Sequence, residues 1–375
     1  MDRSFEQEFQ ALFPERKSAF TNHFNDASVR GRRVLVTGAG GSIGSALATT
    51  ILGCSPKRLI LLDHSIHSLQ ELQIAMQSGH RFAAVQLVLA DLRDNRFVID
   101  LLKNEQPEIV FHAAAFKHVP LLEENPFAAI ENNALATWRL AQNAAKYGVH
   151  QTFLISTDKA ANPRSMLGIS KRLAELAILR WNHTGSRMTA LRMGNVAGSS
   201  GSVLPKFREQ IQQGGPVTVT HPRATRYFLT MKETCCAISA LANLGDRSGV
   251  FVPEMGDPIS ILDLATRMVS AAKVERPANV AVKIIGLRPG DKLHEDLLSH
   301  DESLGPRVAP GIRSISSQPL SAEWIDQKMR KIEKITELRD SVLLLDELWE
   351  LAPGYQPVAT RAKSREVTAA GSCDD

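Results

Sequence analysis

Short apolar runs alternate with amphipathic stretches through the first half of the chain. Arg32-Arg33-Val34-Leu35-Val36-Thr37-Gly38 is a β-branched run that ends in glycine, the mark of a buried strand. Similar runs recur at Arg58-Leu59-Ile60-Leu61-Leu62, Ala84-Val85-Gln86-Leu87-Val88, Ile109-Val110-Phe111-His112 and Thr152-Phe153-Leu154-Ile155. Helical stretches lie between them. Strands apolar at every position, each followed by a helix, predict an α/β fold with a doubly wound parallel sheet covered on both faces.

Outside this region the texture differs. Residues 1–30 form a predicted helical lead-in, with Phe5, Phe9, Leu12 and Phe13 at helical spacing. The alternating domain spans 31–195. Over 196–320 Gly and Pro become frequent, and strand-like pieces such as Pro216-Val217-Thr218-Val219-Thr220 mix with helices. That predicts a smaller C-terminal substrate-binding lobe, partly interleaved with the first domain. A C-terminal helical segment follows over 321–352. Within it Ile325, Met329, Ile332, Ile335, Val342, Leu345 and Trp349 fall on one helical face. Residues 353–375 are polar and small, and are expected to be disordered.

Composition removes several classes of function. In 375 residues with a net charge of +4 no basic run marks a nucleic-acid binder. The four cysteines are Cys54, Cys235, Cys236 and Cys373; they have neither metal-ligand spacing nor the pattern of a disulfide framework. Reduced structural thiols in a cytoplasmic protein are expected, with no metal. No stretch reaches the ~20 apolar residues of a membrane-spanning helix, and the N-terminus lacks the apolar core of a signal peptide.

The turn after the first strand carries candidate chemistry. Gly38, Gly41 and Gly44 stand in a G-x-x-G-x-x-G pattern, with Ser42 and Ile43 opening the next helix. Small residues let the backbone approach a pyrophosphate, whose charge sits at the helix N-terminus. Asp63 ends the second strand, where an acid accepts the hydroxyls of the adenosine ribose. Asp91 and Leu92 end the third strand beside the adenine, and Ala113, Ala114 and Ala115 leave room after the fourth. Asn133 and Lys171 complete the expected cofactor set. The whole reads as a Rossmann-type domain for NAD. Asp63 disfavours NADP, because a carboxylate repels a 2′-phosphate.

Such folds normally work alcohols with a Tyr-x-x-x-Lys pair. Here the Tyr position holds Leu167, while Lys171 remains and Thr157-Asp158-Lys159 stands just upstream. An acid–base pair kept without the phenol suggests elimination of water from a nucleotide sugar.

Several further stretches carry a resemblance. They are Phe111 to Pro120 (FHAAAFKHVP), Ser156-Thr157-Asp158-Lys159-Ala160, Gly168-Ile169-Ser170-Lys171-Arg172 and Arg192-Met193-Gly194-Asn195-Val196. They continue with Gly201-Ser202-Val203-Leu204-Pro205, Gly215 to Pro222 (GPVTVTHP), Thr225-Arg226-Tyr227-Phe228 and Arg288-Pro289-Gly290-Asp291-Lys292-Leu293. Over residues 31–300 the chain resembles extended short-chain dehydrogenases/reductases, and among them the CapD-like polysaccharide biosynthesis proteins, which include UDP-N-acetylglucosamine 4,6-dehydratases. The resemblance implies a redox-neutral cycle on a UDP-sugar: oxidation at C4, loss of the C5 proton, departure of the C6 hydroxyl, and hydride return to C6. Asp158 is the candidate acid and Lys159 the candidate C5 base, which calls for a raised Asp158 pKa and a lowered Lys159 pKa. Long members commonly carry Met where this chain has Leu167. The C4 hydroxyl proton must then leave through Thr157 or Lys159. Lys117, Asn195, Val203, Arg226 and Arg288 are the expected substrate contacts, the two arginines for the diphosphate. Self-association into a homo-oligomer is also expected from the superfamily.

Two other readings share the fold. One is a UDP-sugar 4-epimerase, which returns hydride to C4 and normally needs the missing Tyr. The other is a nucleotide-sugar-binding protein without turnover, which has no physical need to retain Thr157, Asp158, Lys159 and Lys171 together.

Overall fold

The computed structural model describes residues 4–20, 24–77, 82–182, 185–275, 280–355 and 357. Six parallel strands carry the first domain: β1 (Arg33–Thr37), β2 (Arg58–Asp63), β3 (Val85–Leu89), β4 (Ile109–His112), β5 (Gln151–Thr157) and β6 (Arg187–Met193). Among the described residues the full sheet has nine strands. Its order is Glu302–Ala309, Ile312–Ser317, Gly249–Pro253, β6, β5, β4, β1, β2, β3. Gly249–Pro253 runs parallel to β6, and the hairpin Glu302–Ser317 extends the sheet antiparallel beyond it. The second half of the chain therefore contributes three strands to the main sheet.

Strand alternation sorts the core into two layers. Val34, Val36, Leu59, Leu61, Phe111 and Phe153 pack on one face, under helices Ser42–Gly53 and Met231–Ala242. Leu35, Ile60, Leu62, Val110 and Leu154 pack on the other, under helices Asn95–Glu105, Ala136–Lys146 and Met166–Leu179. Burial on both faces explains why these strands read as continuous apolar runs.

The C-terminal segment forms two helices, Ala322–Leu338 and Ser341–Trp349. Arg339 takes a left-handed conformation (φ 55°) between them, and Asp340 caps the second through the Val342 and Leu343 amides. The break resets the helical phase. Leu344 and Leu348 join Ile325, Met329, Ile332 and Ile335 over helix Met166–Leu179, whereas Val342 and Trp349 from the expected single face are exposed. Within the tail expected to be disordered over 353–375, Tyr355 is buried in this cluster and its hydroxyl donates to Glu123 Oε2 at 3.2 Å, while residues from 358 onward lie outside the described residues.

The smaller lobe has its own apolar cluster of Leu204, Phe207, Val217, Val219, Phe228, Leu264 and Met268. The lead-in helix Phe5–Leu12 docks here, with Phe9 against Phe228 at a ring separation of 5.3 Å. Arg16 then fastens it through a bidentate pair with Glu233. No helix among the described residues is long and apolar enough to cross a membrane.

Candidate active site

The glycine turn follows β1 and is shaped by contact as well as conformation. Gly38 has φ 67°, and a Cβ there would stand 2.5 Å from the Ala114 amide nitrogen. A Cβ on Gly44 would stand 2.0 Å from the Gly38 carbonyl oxygen. Only glycine allows the helix to begin this close to the turn. Gly41 caps helix Ser42–Gly53 without a side-chain bond, so the first-turn amides remain to bind an anion. Ser42 Oγ accepts the Ser200 amide at 3.0 Å, which ties this turn to the smaller lobe. Ile43 packs against the core layer beneath it.

Asp63 is buried, and accepts the Gly40 amide on one oxygen and the Ser65 amide on the other, both at 2.9 Å. It fixes the glycine turn, and each oxygen keeps a second lone pair for a ribose hydroxyl. Asp91 is chelated by Arg93, whose hydrogen bonds outweigh partial burial and hold its carboxyl below the usual range. Leu92 is buried beside it. Ala113, Ala114 and Ala115 follow β4 and are half-buried, the first two directly opposite Gly38.

Asn133 sits in a π-helical stretch, Ile130–Leu135. Its Nδ2 donates to the Phe116 carbonyl (2.9 Å) and to Ser170 Oγ (3.1 Å), while Oδ1 accepts the Phe116 amide (2.8 Å). The amide is thus spent on shaping the loop after β4. His112, in sequence only the end of a strand, links β1 to helix Ala136–Lys146. Its ring nitrogens lie 2.7 Å from Thr37 Oγ1 and Thr137 Oγ1. Burial, then the charge of Lys171, push its pKa down to about 3.

Lys171 is 3% exposed on helix Met166–Leu179, and its ammonium has no hydrogen bond or ion pair among the described residues. Burial lowers its pKa to about 8, with Glu175 opposing. A buried cation without a partner is costly, and a ribose diol would satisfy it. Together with the open helix N-terminus and the Gly38 contact, this donor set fits a dinucleotide. Leu167, at the usual phenol position, is buried among Leu122, Trp138, Met166 and Ile169.

Thr157 ends β5, and Asp158 and Lys159 form the turn that follows. Asp158 is fully buried. Its Oδ1 accepts from Thr157 Oγ1 and from Lys159 Nζ, both at 3.0 Å, while Oδ2 has no partner. Lys159 Nζ also reaches Glu295 Oε1 at 3.2 Å and Asn195 Oδ1 at 3.4 Å. Burial disfavours the ammonium, but Asp158 and Glu295 more than offset it and raise the Lys159 pKa above its usual value. This corrects the expected lowering: two carboxylates outweigh desolvation. The Tyr227 phenol is held above its usual pKa by burial and then by Asp158.

Arg226 also departs from expectation. Its guanidinium donates to the carbonyls of Thr225, Lys292 and Leu293 at 2.7–3.2 Å and pairs with Glu295 at 3.4 Å. It presents no spare fork to a diphosphate; it holds the Glu295 segment instead. Arg288 is half-exposed and chelated by Asp291 at 2.9 Å. Lys117 is exposed on the loop after β4. Val203 opens helix Val203–Gln212, whose cap Ser202 makes no capping bond. Glu295 lies two residues beyond the motif Arg288–Leu293, and no local spacing marks it as a partner of Lys159.

The glycine turn, the buried lysine and the acid–base turn on this sheet define a short-chain dehydrogenase/reductase of the extended kind. The chain matches the family described as polysaccharide biosynthesis protein over residues 34–316 and belongs to it, among its CapD-like members. It is 38% identical over 317 residues to the probable polysaccharide biosynthesis protein EpsC of Bacillus subtilis, covering 84% of this chain and 52% of EpsC. It is 41% identical over 276 residues to the capsular polysaccharide biosynthesis protein CapD of Staphylococcus aureus, covering 72% of this chain and 46% of CapD. The chain thus spans about half the length of these two relatives. A UDP-N-acetylglucosamine 4,6-dehydratase (inverting) of Campylobacter jejuni is 31% identical over 282 residues, covering 73% of this chain and 79% of that protein. Among solved structures, Pen from Bacillus thuringiensis superposes with a TM-score of 0.70 at 26% identity, covering 80% of this chain and 98% of Pen.

Proposed function

We propose that the chain is a nucleotide-sugar 4,6-dehydratase acting on a UDP-N-acetylhexosamine, with UDP-N-acetylglucosamine the first candidate and NAD the cofactor. The carrying observation is the turn Thr157-Asp158-Lys159, in which buried Asp158 is hydrogen-bonded by both neighbours, in a chain whose phenol position holds the apolar Leu167. The C. jejuni relative's description supports the substrate and reaction class.

Bound NAD supplies an acceptor for the C4 hydride and a donor to C6. Lys171 would hold its ribose, with the first-turn amides of Ser42–Gly53 on the pyrophosphate. The chain's own residues manage the protons. Thr157 Oγ1 already donates to Asp158 Oδ1, so the C4 hydroxyl proton has a path through Thr157 to Asp158 without a phenol. Asp158 then gives that proton to the departing C6 oxygen. Lys159 takes the C5 proton and returns it when hydride reaches C6. Protons balance over the cycle, and the sugar loses one water.

The test is incubation of purified protein with UDP-N-acetylglucosamine and no added reductant, followed by mass spectrometry of the sugar nucleotide. Loss of one water is the expected result. Unchanged mass with a new C4 epimer by NMR would replace this reading with a 4-epimerase. An untouched sugar would refute it for this substrate.

A further inference from the structure

Glu295 stands across the Lys159 ammonium from Asp158. Its Oε1 lies 3.2 Å from Lys159 Nζ and 3.4 Å from Arg226 Nε. The side chain is buried, and Oε2 has no hydrogen-bond partner among the described residues. The segment that carries it is anchored at both ends. Arg226 holds the carbonyls of Lys292 and Leu293, while Arg192 holds the Leu297 carbonyl at 2.9 Å and Glu302 at 2.6 Å. A carboxylate fixed this firmly against a lysine is placed, not adventitious.

The charged groups facing Lys159 are Asp158 from its own turn, Glu295 from the anchored segment and Arg226 from the strand Thr225–Arg226; Asn195 adds a neutral oxygen. Two acids outweigh one guanidinium, so the resting side chain is an ammonium. An ammonium cannot take a proton from C5. It must first lose one, and Asp158 is engaged in protonating the C6 oxygen.

Resting on the dehydratase reading, we propose that Glu295 accepts the Lys159 proton and so converts Lys159 to the amine that acts on C5. The Nζ–H bond breaks as an Oε–H bond forms on Glu295. The C5–H bond then breaks, its electron pair entering the enolate of the 4-ketone while Nζ takes the proton. Departure of the C6 oxygen draws its proton from Asp158. On return Lys159 delivers its proton to C5 and recovers the other from Glu295. Arrival of the C4 hydroxyl proton on Asp158 prepares this step, because it removes one of the two negative charges that retain the ammonium. Glu295 acts through Lys159 and is a positioning residue.

Two measurements test it on the full chain. In E295Q, which keeps the shape and an acceptor oxygen, kcat should fall by about a hundredfold with KM nearly unchanged. NAD affinity should hold, and E295D should recover part of the rate. A merely structural Glu295 would leave E295Q within about threefold of wild-type kcat, and that result would overturn the proposal. Should E295Q fail to fold, E295D serves alone: a slowed rate with a displaced pH profile supports the proposal, and a wild-type profile overturns it. Separately, NMR titration of lysine-labelled protein, with Lys159 assigned through K159R, needs no substrate. Lys159 should titrate at lower pH in E295Q than in wild type. An unmoved titration would overturn the coupling even if the wild-type enzyme dehydrates its sugar, and a wild type without turnover would sink the dehydratase reading while leaving this titration decisive for Glu295.

Discussion

Arg192 and Glu175 meet as a doubly hydrogen-bonded ion pair with no exposed surface, Nη2–Oε2 at 2.7 Å and Nε–Oε1 at 3.1 Å. Glu302 completes the cluster from the far edge of the sheet, 2.6 Å from Arg192 Nη1. Removing one member strands the others: R192M should cost about 3–5 kcal/mol in denaturant unfolding. A loss under about 1 kcal/mol would show that the cluster is not a stability element.

The same cluster predicts an acid limb. Burial alone would raise the Glu302 carboxyl, but Arg192 and Arg172 outweigh it and bring the pKa from 4.5 to about 2. The unfolded chain therefore binds this proton first, and the contribution of Glu302 is complete above pH 4.5 and lost as pH falls toward 2. Urea midpoints taken down this range should fall in wild type and fall less steeply in E302Q. Parallel slopes would contradict the assignment.

His112 adds a second limb at higher pH. Its pKa drops from 6.5 unfolded to about 3 folded, so the unfolded chain alone takes up a proton between these values. Stability from this group is present above pH 6.5 and declines as pH falls toward 3. In H112Q the stability difference between pH 7 and pH 5 should shrink, although the lost bonds to Thr37 and Thr137 lower stability overall. An unchanged difference would mean that His112 can be charged inside the fold.

Lys171 separates fold from function. K171M removes a buried cation with no protein partner, so the urea midpoint of the ligand-free protein at pH 7 should rise. Calorimetric NAD affinity should drop by at least about tenfold, since the charge-assisted bonds to the ribose are gone. Wild-type affinity in K171M would remove Lys171 from the cofactor site.

K159A should abolish turnover while leaving NAD bound, because Lys159 sits on the acid–base turn and not at the glycine turn. Turnover within about tenfold of wild type would rule out Lys159 as the C5 base. L167M is nearly volume-conserving in its apolar cluster and should cost less than about 1.5 kcal/mol. Its turnover should match wild type, since neither side chain carries a proton.

Local patterns carried a large part of this protein. The apolar runs at β1 to β5, the glycine turn and the Asp158-Lys159 dipeptide are visible in sequence because strand period, turn chemistry and adjacency are short-range properties. The tertiary structure alone decided the rest. Glu295 meets Lys159, His112 joins Thr37 to Thr137, and Arg226 turns to the carbonyls of Lys292 and Leu293 because folding brings together residues distant along the chain. Protonation followed the same rule. Burial alone would have lowered Lys159, as it lowers Lys171, and only the carboxylates gathered around its Nζ reverse the sign. Residue types mark where chemistry can occur; the charge each group holds depends on which neighbours the fold places within a few ångströms.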